Sequence, residues 1–157
     1  YIFGAGSCQA LATFAAYYLR LFLDDVCLIQ ATGQSEIFEE MLRISDEDAV
    51  LGISFPRYSS RAVKTMRYAD RKGAKVIAVT DSKASPIAAY ATHLLLAHSD
   101  MASVVDSLAA PLSVINALIV AVSLRRLEAR RELLTELENL WNSQEVYLSA
   151  DEDDTHA

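Results

Sequence analysis

Cysteine and histidine are scarce in this 157-residue sequence, and neither is clustered. Cys8 and Cys27 belong to no CxxC pair, which excludes a thiolate zinc site and a disulfide framework and fits a reducing, cytoplasmic setting. His93, His98 and His156 show no His-x-x-x-His spacing, so no metal site is expected. There is no Ser-x-x-Lys and no nucleophile elbow, and no catalytic residue is assigned. Basic residues are also short: 14 Lys and Arg stand against 21 Asp and Glu, a net charge of −7. That balance excludes a direct grip on nucleic acid by this chain, because phosphate backbones are held by clustered cations. No stretch of the sequence reads as a signal peptide, and none is expected. The longest apolar run is broken by Ser113, Asn116 and Ser123 and falls short of a membrane span, so no membrane partner is expected.

What is present is a globular composition, 52% hydrophobic and 22% charged. At 17.2 kDa the chain suits one domain that buries roughly 70% of its unfolded surface. Tyr1-Ile2-Phe3 reads as the end of a strand with no methionine before it, so the chain is read as a piece of a longer protein. Gly4-Ala5-Gly6-Ser7 then turns, and Ser7 is the expected N-cap of a helix to about Leu23. A second strand is expected over Val26–Ile29, and a helix capped by Ser35 runs to about Arg43. Ala49–Ile53 reads as strand three, followed by a helix from about Ser60 to Lys72 that ends at Gly73.

Lys75–Val79 is strand four, Ser85-Pro86 starts a short helix to about Tyr90, and Thr92–Ala97 is strand five. Asp100–Asp106 is a loop. A helix from about Ser107 to Arg125 is apolar nearly all round, which predicts burial on most faces. A separate amphipathic helix is expected from Leu127 to Leu140, with Leu127, Leu133, Leu134, Leu137, Leu140 and Trp141 on one side. Strands alternating with helices predict an α/β fold, a parallel sheet covered on both faces. Ligands in such sheets bind beyond the carboxyl ends of the strands. Gly4–Ser7, Ser54–Ser60 and Thr80–Ser82 all lie at such ends.

The loop Ser54-Phe55-Pro56-Arg57-Tyr58-Ser59-Ser60 carries the functional expectation. A strand leading through hydroxyls into a helix start offers unpaired amides and the positive end of a dipole, which suits an anion. Serines there also serve as plain caps. Gly4-Ala5-Gly6-Ser7-Cys8-Gln9 invites a dinucleotide reading, but Gln9 replaces the third glycine and no acid ends strand two. No cofactor is therefore expected.

Taken together, Gly4–Ser7, Ile53–Ser59, Val76-Ile77-Ala78-Val79-Thr80-Asp81, Ala109-Ala110-Pro111-Leu112 and Asn116-Ala117-Leu118-Ile119 resemble a SIS (sugar isomerase) domain. The version with Phe-Pro-Arg-Tyr-Ser resembles the RpiR family of bacterial transcriptional regulators. The resemblance implies a three-layer sandwich with a five-stranded parallel sheet of flavodoxin-like type, with helices on both faces. It implies one SIS domain over residues 1–148, lacking the start of strand one, while the acidic composition of residues 149–157 predicts a disordered tail. It further implies a homodimer or homotetramer that senses a sugar phosphate and controls DNA through a helix-turn-helix domain upstream of Tyr1. The alternative within the superfamily is a phosphosugar isomerase or related lyase.

SIS domains generally read Ser-x-Ser-Gly-x-Thr after strand three. Ser54 and Ser59 match its first serine and its threonine, while Pro56 and Arg57 replace the second serine and the glycine. Tyr58 stands where the isomerases often carry glutamate, which favours a sensor over an enzyme. The ligand-binding residues expected are Gly4, Gly6, Ser7, Ser54, Arg57, Ser59 and Ser60.

Overall fold

The computed structural model describes residues 1–99, 105 and 107–147. The expected tail over residues 149–157 and most of the expected loop over residues 100–106 lie outside the described residues.

Four parallel strands form the sheet in the order β1 (Ile2–Gly4), β2 (Ala49–Ile53), β3 (Lys75–Thr80) and β4 (His93–Leu96). The expected five-stranded sheet is thus corrected to four. Val26–Ile29 makes only an isolated parallel bridge, Leu28 to Ile2, with Ile2 N–H bonding Cys27 O at 2.8 Å and Ile29 N–H bonding Ile2 O at 3.0 Å. This segment lies across β1 from β2, so the chain crosses from one side of β1 to the other after it. That reversal opens a crevice at the carboxyl ends of β1 and β2.

Alternation along the strands sorts the core into two layers. Ile2, Leu51, Ile53 and Val79 pack with Leu11, Ala12, Ala15 and Ala16 of α1 (Cys8–Leu19) and with Ile115 and Ile119 of α4 (Ala109–Ser143). Phe3, Val50, Val76 and Ala78 face the other way, onto Ile37 of α2 (Gln34–Glu40) and Ala62, Met66 and Ala69 of α3 (Ser60–Arg71). Helices therefore cover both faces.

Local chemistry explains several shifts from expectation. Ser35 does not cap α2; Gly33 does, its N–H bonded to the Glu36 carboxylate at 3.3 Å. The expected helix at Pro86–Tyr90 contracts to a 3₁₀ turn over Ala88–Tyr90. Residues expected as two helices, Ser107–Arg125 and Leu127–Leu140, form one continuous 35-residue α4, since no glycine or proline interrupts them after Pro111. Burial on most faces is also corrected: in α4 only Pro111, Ile115 and Ile119 are buried. By length and composition alone α4 could cross a membrane, yet its buried stripe packs on the sheet and α1. Beyond that stripe, Arg130 holds α4 to the end of α1 by bonds to Phe22 O at 3.3 Å and to the Asp24 carboxylate.

Candidate functional site

The crevice beyond β1 and β2 holds a cavity of about 440 Å³ lined by Ala5, Gly6, Ser7, Cys8, Ser54, Phe55, Pro56, Arg57, Ser59, Ser60 and Arg61. Six of the seven residues expected from sequence meet there. Gly4 does not line it. A Cβ at Gly4 would sit 2.3 Å from the Cys8 carbonyl oxygen, so this glycine lets α1 start hard against β1. Gly6 serves differently, turning the chain at φ +62° while its surface stays open.

Both walls are helix starts. The first ladder bond of α3 runs from Val63 N–H to Ser59 O at 3.2 Å, so the amides of Ser60, Arg61 and Ala62 precede the ladder. Ser7 and Ser59 occupy the cap positions of α1 and α3, yet neither hydroxyl makes a capping bond to its helix. For Ser7 the cause is backbone: φ −58° and ψ −31° are helical, whereas a capping side chain needs an extended residue. Ser54 is buried at 3% exposure, and its N–H is committed to Val79 O at 3.1 Å. It can offer a ligand its hydroxyl, but not its amide.

Charge reinforces the helix ends. Neither α1 nor α3 has an acid in its first turn, whereas α2 has Glu36. Arg61 sits in the first turn of α3, where the dipole disfavours a cation unless an anion is close. Sequence reasoning passed over Arg61, and that misplaced cation was the available signal. Its guanidinium bonds Thr32 O, which fixes it at the rim. Arg57 is exposed and holds φ +62°, the left-handed backbone that glycine would adopt without strain. The SIS pattern that this loop resembles has glycine at this position. Among the described residues no carboxylate lines the cavity, so a bound anion would meet two guanidinium groups and two positive helix ends.

Tyr58 points out of this cavity toward β3. Its hydroxyl donates to the Asp81 carboxylate at 2.9 Å (Oδ1) and 3.1 Å (Oδ2). Burial raises the Tyr58 phenol above its ordinary value, and the bond to Asp81 and its negative charge add to that. Thr80 Oγ1 lies 3.1 Å from Asp81 Oδ1 and 2.8 Å from Ser85 Oγ, continuing the network into the core. The loop between β2 and α3 is thereby tied to the end of β3. A second cavity, of about 410 Å³, opens past this tie, lined by Asp81, Ser82, Lys83, Leu96, Ala97 and His98. Among the described residues no group of histidines, cysteines and carboxylates is placed to hold a metal.

Comparison with known proteins gives one family and a set of similar folds. The profile of the SIS domain matches residues 1–121. The sugar isomerase domain of an RpiR transcription factor from Sphaerobacter thermophilus superposes with a TM-score of 0.76 at 24% identity, covering 83% of this chain and 73% of that one. NanR of Vibrio vulnificus, solved in complex with ManNAc-6P, gives a TM-score of 0.72 at 15% identity over 91% of this chain and 55% of NanR. A search of curated protein sequences returns no match.

Proposed function

This chain belongs to the SIS domain family, and from that premise we propose that it is the effector-sensing domain of a bacterial, RpiR-type transcriptional regulator. Its ligand is a phosphorylated sugar. The observation that carries the reading is the cavity between the starts of α1 and α3, with Arg57 and Arg61 on its wall and no carboxylate among the described residues that line it. Phosphate oxygens would accept bonds from the amides of Ser60 and Arg61, the hydroxyls of Ser54 and Ser59, and a guanidinium fork. Ser7 and the Gly6 turn sit opposite, where the sugar hydroxyls or the phosphate would reach them. Binding would draw the β1–α1 and β2–α3 loops together. In a homodimer or homotetramer that change would alter how two upstream helix-turn-helix domains meet their half-sites. The likeness to NanR, whose complex contains ManNAc-6P, supports a phosphosugar as the ligand class.

Thermal shift against a panel of sugar phosphates tests the site. At least one is expected to raise the melting temperature, and Ser54→Ala to abolish that rise while leaving the unliganded chain folded. A panel without effect, or an undiminished response in Ser54→Ala, counts against it.

One observation favours the alternative, a phosphosugar isomerase or lyase. Asp81 and His98 line the same second cavity and could move a proton there. Ketose–aldose exchange followed by NMR decides between the two. Turnover that disappears in Asp81→Asn or His98→Gln would establish the enzyme and end the sensor-only reading.

A further inference from the structure

Among the described residues, the far half of α4 is met only at its edge, by Leu21, Phe22 and Asp24 after α1. After Ile119 the helix continues to Ser143, about 36 Å at 1.5 Å per residue, and none of those residues is buried. Leu127, Leu134 and Trp141 recur every seven residues, and Leu137 falls between the last two on the same side. Beside them, with Leu21, runs a groove of about 490 Å³ that Arg131 and Glu138 also line.

The charges on this stretch are divided by sign. Residues 120–131 carry Arg125, Arg126, Arg130 and Arg131 against Glu128 alone, while residues 132–143 carry Glu132, Glu136 and Glu138 and no base. A second copy laid antiparallel can set Arg131 of each helix beside Glu138 of the other, a base on an acid at both ends of the pair. Parallel packing would instead bring Arg126 of one copy against Arg131 of the other.

We infer that α4 pairs with α4 of a second copy, antiparallel, about a twofold axis between Thr135 and Glu136. In this register Leu134 of each copy meets Leu137 of the other, and Arg131 lies beside Glu138 across the pair. Arg131 already bonds Glu128 of its own helix at 2.7 Å, a solvated pair that pairing across the axis can supplement. The inference rests on the proposed homo-oligomer and gives that assembly a face and a direction. It does not depend on what the cavity binds.

Light scattering of the full chain tests it through exposed charges whose replacement spares the fold. Arg131→Glu and Glu138→Arg are each expected to halve the mass of the assembly, weakening association about tenfold or more. The two together in one chain are expected to restore it, since the pair is re-formed with reversed signs. Single variants that leave the mass unchanged, or a double variant that fails to recover it, overturn the antiparallel pairing alone. A monomeric mass for the unaltered chain overturns the homo-oligomer as well. Cosedimentation of the unaltered chain with phosphatidylcholine vesicles, lost in Leu134→Glu, would assign the face to a lipid surface and also overturn the pairing.

Discussion

At Arg57 the left-handed φ of 62° costs roughly 1 kcal/mol relative to glycine. Arg57→Gly is therefore expected to stabilise the unliganded chain by about 1 kcal/mol while weakening phosphosugar binding at least tenfold. Chemical denaturation and ligand titration of the same variant check both signs. Tyr58 makes the opposite case, because its bond to Asp81 stabilises the loop it stands on. Tyr58→Phe is expected to lose about 1–2 kcal/mol, typical of a hydrogen bond to a charged acceptor. The pH dependence follows from the raised phenol. The folded value lies above the unfolded value of about 10. The contribution is thus whole below about pH 10 and is lost as pH rises through the folded value. Denaturation series between pH 8 and 12 should show a steeper alkaline fall for the unaltered chain than for Tyr58→Phe. The hydroxyls of this loop could be read from the sequence, but its aim could not. Nothing in the order Arg57-Tyr58 says that the arginine faces the β1–α1 crevice and the tyrosine faces β3.

Among the elements, α4 departs most from expectation. Its first half reads as buried all round because hydropathy records which residues avoid water, and says nothing about what covers them. The sheet and α1 supply one contact stripe, so only Pro111, Ile115 and Ile119 are buried. Ile115→Ala is accordingly expected to cost about 2–4 kcal/mol. Leu124→Ala, at a position 72% exposed, should cost under about 0.5 kcal/mol in a dilute monomer. Thermal denaturation of the two variants makes the comparison. The second strand failed for a related reason. Val26–Ile29 has strand composition, but an edge position beside the three-residue β1 leaves room for a single bridge. The helix starts were placed well and the caps poorly. Residue type marks where a helix can begin, whereas backbone dihedrals decide whether a serine hydroxyl reaches the amides.

For the molecule as a whole, a net charge of −7 repels a phosphate dianion, whereas the proposed site would attract one through two helix ends and two arginines. Affinity then has to come from short-range contacts that bulk salt screens only in part. A phosphosugar at one hundred times its dissociation constant should stabilise the chain by about 2.7 kcal/mol, or about 5–10 °C at this size. Scanning calorimetry over a ligand series measures that dependence. The sequence by itself determined the α/β class, the order of the elements and the two loops that line the cavity. Those depend on apolar periodicity and turn chemistry, which are local in the chain. Only the tertiary structure decided that four strands pair and not five, that Gly4 serves packing, that Arg61 joins Arg57 on one wall, and that no residue of α4 after Ile119 is buried. Each of those depends on which distant segments come within a few ångströms of one another, and local pattern carries no record of that.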